Sequence, residues 1–203
     1  MFVIVRHGNT FESGETPRRI GASTDLPLTQ AGFDQASALG RYFAAQGWKF
    51  SLALTSPLLR TRQTTEAILQ EMEKPEKLET ADFLREIEHG PDENKPEDAV
   101  RDRIGPAALD DWESEARVPP GWIVEPEKRI AAWSELFAGD ASRESPVLVV
   151  TSNGAARFAL MADPDLRAAS KCMKTLKLPT GGFGVIERDP EGTLVPAAWG
   201  RRP

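Results

Sequence analysis

The chain has two histidines, His7 and His89, and one cysteine, Cys172, among 203 residues. Any imidazole chemistry must therefore run through one of those two side chains. His7 follows the apolar run Phe2-Val3-Ile4-Val5 and stands in Arg6-His7-Gly8-Asn9-Thr10, which puts an imidazole beside a guanidinium. Two further stretches carry polar groups of a related kind. Ser56-Pro57-Leu58-Leu59-Arg60 places an arginine about one turn into a predicted helix, and Thr151-Ser152-Asn153-Gly154 follows the apolar run Val147–Val150. Arginine forks and the free N–H groups of a helix N-terminus both favour phosphate or carboxylate oxygens. Together the three junctions describe an oxyanion pocket with a histidine in it.

Other chemistries fail on residue type or spacing. A cysteine nucleophile with an arginine six residues on is absent, because Leu178 stands at that position after Cys172. Asp163-Pro164-Asp165 follows a helical pattern rather than a strand. The sequence has no Gly-x-Ser-x-Gly elbow, and neither a Gly-x4-Gly-Lys loop nor a Gly-x-Gly-x-x-Gly turn after its first strand. His7 is the candidate nucleophile that remains. Two histidines and one cysteine argue against a structural zinc site, and no cofactor is called for. A lone cysteine makes no internal disulfide, in keeping with a reducing compartment.

The elements that must position these residues read as alternating strands and helices. Phe2–Val5, Ser51–Thr55 and Val147–Val150 are strand candidates, the first and last apolar throughout as buried strands are. Thr29 caps a helix whose inner stripe is Ala36, Leu39 and Phe43. Ser56 with Pro57 opens a second helix, with Thr61, Thr65, Ile68 and Met72 on its buried face. A helix is predicted over Glu97–Trp112, another from Pro126 through Ile130, Trp133 and Phe137, and another over Ala155–Ala162. Phe183–Glu187 and Thr193–Ala197 flank Asp189-Pro190-Glu191-Gly192 as a terminal hairpin. This order predicts one domain over 1–203: an α/β, three-layer α/β/α sandwich on a mostly parallel central sheet, with a helical insert at about 90–124. In such folds ligands gather beyond the carboxyl ends of the strands, where the three polar junctions lie.

Charge and hydropathy narrow the partners. Lys and Arg number 25 against 31 Asp and Glu, giving a net charge of −6, so no broad basic face for nucleic acid is expected. No apolar run approaches the ~18 residues of a membrane span. The start shows neither a basic region nor a small-residue cleavage site, so a cytoplasmic protein acting on a small ligand is the expectation.

At this point the residues resemble the histidine phosphatase superfamily, the phosphoglycerate-mutase-like group. A strand followed by Arg6-His7-Gly8 looks like its signature, with Asn9-Thr10 at its usual Glu/Gln-Thr/Ser positions. Asp25-Leu26-Pro27-Leu28-Thr29 with Gly32 is similar to its Asp-x-Pro-Leu-Thr-x-x-Gly element. Ser56 through Thr64 matches its Ser-Pro-Leu-x-Arg-Thr/Ala-x-Gln-Thr segment, and Leu84-Arg85-Glu86 looks like the segment that brings in an acid/base carboxylate. The resemblance implies that His7 attacks phosphorus, that Arg6 and Arg60 hold the phosphoryl oxygens, and that Glu86 serves as general acid and base. Chemistry alone leaves Glu88 and Glu93 open for that last role. No metal is implied.

One position departs from the pattern. The superfamily carries a second histidine in a strand-end Ser-His-Gly, where this chain has Ser152-Asn153-Gly154. Asn153 can donate a hydrogen bond to a phosphoryl oxygen but carries no charge. His89, three residues past Glu86, could compensate in part. The candidate substrate contacts are Asn9, Thr10, Arg19, Gly21, His89 and Gly154, with Arg18 beside them, and the acidic insert with Trp112 and Trp122 is expected to cover the pocket. The expected activity is hydrolysis of a small phosphomonoester through a phosphohistidine. The alternative is a weak or inactive relative that binds a phosphorylated ligand or a protein partner. A phosphoglycerate-type mutase fits less well, because the region after Glu86 lacks the basic residues to hold a second phosphate.

Overall fold

Alternate residues of a strand face opposite sides of its sheet, and here both sides are covered. The computed structural model describes residues 1–139 and 145–203. β1 (Phe2–Arg6) is followed by a two-residue β2 (Arg18–Arg19), α1 (Gln30–Ala45), β3 (Leu52–Thr55), α2 (Leu59–Gln70) and β4 (Lys77–Thr80). Another two-residue strand, β5 (Lys95–Pro96), leads into α3 (Glu97–Ile104), α4 (Pro106–Glu115) and α5 (Pro126–Ala138). Then come β6 (Val147–Thr151), α6 (Asn153–Ala156), a 3-10 turn (Arg157–Met161), α7 (Pro164–Ser170), β7 (Phe183–Arg188) and β8 (Leu194–Arg201).

The main sheet has the order β4-β3-β6-β1-β7-β8. β4, β3, β6 and β1 run parallel, and β7 and β8 close the sheet antiparallel. Val3, Val5, Ala53, Leu148 and Val150 face a layer formed by Ala36, Leu39 and Phe43 of α1 and Ala67 and Ile68 of α2. Phe2, Ile4, Leu54, Val147 and Val149 face the opposite layer, which includes Trp133 and Phe137 of α5 and Phe158. Each Val, Leu, Ile or Phe among them contributes roughly 1.5–3 kcal/mol when fully buried. The three layers of the expected sandwich are thus built from the apolar runs of the sequence.

The parallel register brings the three polar junctions together. Arg6 lies opposite Thr151, and Thr55 lies opposite Val150. His7, Ser56 and Ser152 therefore leave neighbouring strands at the same edge of the sheet.

Several boundaries differ from the sequence expectation. Thr29 does cap α1, its hydroxyl accepting the N–H of Gly32 at 3.1 Å. Helix α2, however, begins at Leu59 rather than after Ser56, and its exposed N–H at Leu59 is taken by Asp25 Oδ1 at 2.7 Å. The cap thus comes from a residue distant in sequence. The helix expected over Glu97–Trp112 is two helices, because Gly105 turns the chain at φ +84 and Pro106 opens the second. The helix expected over Ala155–Ala162 is the short α6 followed by the 3-10 turn. β4 and the β2/β5 pair carry no strand signal in the sequence; β4 is a largely exposed edge strand, and the other two have only two residues each.

Candidate active site

His7 is 4% exposed, and its Nδ1 lies 2.8 Å from the carbonyl oxygen of Gly8. A carbonyl only accepts, so Nδ1 carries the ring proton and Nε2 the lone pair. Burial first, and then the charges of Arg60 and Arg6, push the imidazole well below its ordinary value of 6.5. The result is a neutral imidazole of fixed tautomer with a free in-plane lone pair.

The loop that carries His7 is pressed onto the start of α1. A Cβ on Gly8 would stand 2.3 Å from the Gly32 carbonyl oxygen, and a Cβ on Gly32 the same distance from that of Asn9. Only glycine fits at either position. The Gly8 N–H donates to Thr64 Oγ1 at 3.2 Å, and the Asn9 N–H to Gln35 Oε1 at 2.9 Å. Both motif glycines and the helix threonine therefore serve the same loop.

Leu178 organises the next two groups. Its carbonyl accepts Nη1 of Arg6 at 2.8 Å, while its N–H donates to Asn153 Oδ1 at 3.0 Å. That donor fixes the orientation of the Asn153 amide. Among the described residues its Nδ2 has no hydrogen-bond partner, and Nε of Arg6 is buried without one. Burial lowers the Arg6 pKa, and the charges of Glu86 and Glu113 oppose that shift.

Glu86 reaches the same place from the other side. The Thr151 hydroxyl donates to the Leu84 carbonyl at 2.6 Å, fastening this segment to the end of β6. Arg129 of α5 clamps it from behind, with Nη1 donating to the carbonyls of Phe83 (3.1 Å) and Arg85 (2.6 Å). The Glu86 carboxylate accepts the N–H of Ile87 at 2.9 Å and the N–H of Gly154 at 3.1 Å. A Cβ on Gly154 would lie 2.2 Å from Glu86 Oε1, so a glycine there admits the carboxylate.

Arg6, His7, Glu86 and Asn153 line one cavity of about 700 Å³, and Asn9, Thr10, Arg19, His89 and Gly154 line it too. Of the three glutamates left open by the sequence, only Glu86 does so. Arg60 and Gly21 lie outside the lining. The Arg60 guanidinium is fully buried, donating from Nη1 to the Thr24 carbonyl at 2.8 Å and from Nη2 to the Gly21 carbonyl at 3.1 Å. It braces the loop from Gly21 to Asp25 and acts on His7 through its charge. Gly21 is a packing position, since a Cβ there would meet Glu93 Oε2 at 2.4 Å and His89 Nδ1 at 2.6 Å. Burial pushes the Glu93 carboxyl up, but the His89 imidazole, its Nδ1 3.4 Å away, and hydrogen bonds from the Thr24 hydroxyl and the N–H groups of Gly21 and His89 outweigh it. They hold the group at about 2.

The insert forms part of the cavity wall. Trp112, Glu113 and Glu97 line it. Asp92 anchors the insert by accepting Trp122 Nε1 at 2.7 Å and Arg103 Nε at 2.5 Å. The Arg19 guanidinium sits 4.9 Å from the Trp122 ring centroid and pairs with Glu97. Phe11, Glu113, Lys177 and Thr180 also line the cavity, and no motif or spacing marks them in the sequence. Among the described residues, no group of three or more His, Cys, Asp or Glu is placed to hold a metal ion. No described helix is long and apolar enough to cross a membrane.

A family described as the histidine phosphatase superfamily (branch 1) matches residues 2–196. The chain is 33% identical over 122 residues to a 2,3-bisphosphoglycerate-dependent phosphoglycerate mutase of Methylorubrum extorquens, covering 59% of this chain and 56% of that protein. It is 32% identical over 123 residues to the protein of the same name from Rhizobium etli, covering 58% and 56%. The chain therefore matches little more than half the length of these curated relatives. Among solved structures, Bacillus stearothermophilus YhfR superposes with a TM-score of 0.74 at 24% identity, covering 98% of this chain and 96% of that one. A mycobacterial glucosyl-3-phosphoglycerate phosphatase gives 0.77 at 17% identity, covering 100% and 99%. At these identities the likeness to the solved structures is one of fold.

Proposed function

The chain belongs to the histidine phosphatase superfamily, branch 1, and on that footing we propose that it hydrolyses a small phosphomonoester through a phosphohistidine on His7. The observation that carries this reading is the imidazole itself, neutral and held by Gly8 with its Nδ1 proton, lining a cavity with Arg6, Glu86 and Asn153.

The steps follow from the residue types. Nε2 of His7 forms a bond to phosphorus as the bond from phosphorus to the ester oxygen breaks. The Glu86 carboxyl gives its proton to the departing alcohol. Its carboxylate then takes a proton from water as the water oxygen attacks phosphorus and the P–N bond breaks. Phosphate leaves, His7 is neutral again, and Glu86 is reprotonated. Arg6, with Nε unpaired, and Asn153, through Nδ2, donate to the phosphoryl oxygens as charge builds on them. Arg60 supplies positive charge from below.

A second reading rests on Asn153 alone: with an amide in place of a charged imidazole, the site binds a phosphorylated ligand and turns it over slowly or not at all. The mutase activity named for the curated relatives is the least favoured proposal, because the insert contributes Glu97 and Glu113 to the cavity rather than cations. Incubation with an aryl phosphate separates these readings. The phosphatase reading expects phosphate release that His7→Ala abolishes, and equal release by both proteins refutes it.

A further inference from the structure

Glu113 of α4 lines the catalytic cavity although the proposed chemistry has no use for it. Its Oε2 is buried without a hydrogen-bond partner and faces Nη2 of Arg157 at 3.7 Å. Arg157 is itself fully buried, its guanidinium 4.0 Å from the Trp112 ring centroid and its Nη1 bonded to the Trp112 carbonyl. Burial lowers this guanidinium only to about 10, so it stays charged. A fixed cation behind the wall thus pairs with one carboxylate oxygen, and the other has no hydrogen-bond partner among the described residues. The charge of Glu113 also reaches Arg6. Beyond Arg157, the cations that could offset it are mostly engaged: Arg19 pairs with Glu97, and Arg18 lies 3.6 Å from Glu15. Lys177 lines the cavity without an ion pair among the described residues, but it is exposed at the rim, where solvent screens its charge.

We propose that Glu113 selects the alcohol half of the substrate, accepting a hydrogen bond from a hydroxyl or ammonium group and repelling a second anion. The substrate class is then a monoester of a neutral polyol or an amino alcohol, disfavouring one that carries a carboxylate or second phosphate. The physics is that of specificity by a like charge at the wall, Glu113 lining the cavity while its partner Arg157 does not, and such a charge counts for more in a partly desolvated site. The inference rests on the phosphomonoesterase reading above.

The test compares kcat/KM for glycerol 2-phosphate, O-phosphoethanolamine and 3-phosphoglycerate, with an aryl phosphate as control for turnover. The first two esters should exceed the carboxylate ester by about tenfold or more, the scale on which single pocket contacts discriminate. Glu113→Gln should cut that ratio by about tenfold, and Glu113→Asp, which keeps the charge, should preserve it. A carboxylate with only a structural role lowers all three esters together and leaves the ratio unmoved, which overturns the inference. So does a wild-type preference for 3-phosphoglycerate. If the aryl phosphate is hydrolysed, these failures leave the phosphatase reading standing; no turnover of any ester removes both.

Discussion

Asn153 accepts the backbone N–H of Leu178 through Oδ1 at 3.0 Å, and that bond decides which end of its amide meets a substrate. Since Leu178 also holds Arg6 through its carbonyl, the two proposed phosphoryl donors are set by one backbone residue. The amide hydrogens are left for the cavity.

This arrangement separates three substitutions. Asn153→Ala removes the donor and should lower kcat on an aryl phosphate by about 10²-fold, the usual cost of one oxyanion donor. Asn153→Asp keeps the acceptor for Leu178 but turns a negative charge on the phosphoryl group, and should lose more than the alanine variant. Asn153→His should raise kcat, because an imidazole can accept from Leu178 and donate from its other nitrogen. An aspartate variant as active as wild type would contradict this geometry.

The protonation state of His7 is measurable by itself. With its pKa pushed below 6.5 by burial, Arg60 and Arg6, the ring should remain in the Nδ1–H form at pH 6 in a ¹⁵N imidazole NMR titration. The unfolded chain protonates this group at about 6.5. His7 therefore contributes stability that is complete above that value and is lost as pH falls below it. Arg60→Gln should shift the titration upward. A wild-type ring fully protonated at pH 6 would contradict the assignment.

Glu93 gives acid sensitivity of a different origin. Its folded value of about 2 lies below the ordinary 4.5, so its stabilisation is present above 4.5 and disappears as pH falls towards 2. The contribution is at most about 3 kcal/mol by linkage. In chemical denaturation at pH 6 and pH 3, Glu93→Gln should be less stable than wild type at both, by a margin that shrinks by about half or more at the lower pH because the folded carboxyl is still ionised there.

Gly154 is predicted to act by making room. A methyl group in Gly154→Ala would displace the Glu86 carboxylate from its 2.2 Å clearance. Misplacing a reacting group by about an ångström costs on the order of 10²-fold, so kcat should fall by that order while circular dichroism stays unchanged. Undiminished kcat would mean that Glu86 need not sit where it does.

The sequence made the strand ends legible because their chemistry is local. Arg6-His7-Gly8, the Thr29 cap and the apolar runs each express a constraint within a few residues, and the register of β1, β6 and β3 then does the rest. What stayed hidden depends on contacts distant in sequence. The start of α2 was misplaced because Asp25, not Ser56, takes the N–H of Leu59. Gly21 looked like a ligand contact and is a packing glycine under Glu93 and His89. Arg60 looked like a cavity residue, but its terminal nitrogens are spent on the carbonyls of Gly21 and Thr24. Glu113 had no motif around it, and only the break at Gly105 and Pro106 turns α4 so that it meets the cavity.

The proposed chemistry requires that phosphorus bond to His7. The direct measurement is to mix the protein with an aryl phosphate, quench in alkaline denaturant where phosphohistidine survives, and map the label by peptide mass spectrometry. The phosphoryl group should appear on His7, be absent from His89, and be missing altogether in His7→Ala together with phosphate release. Turnover with no label on His7, or turnover retained by His7→Ala, would rule out a phosphohistidine at this residue.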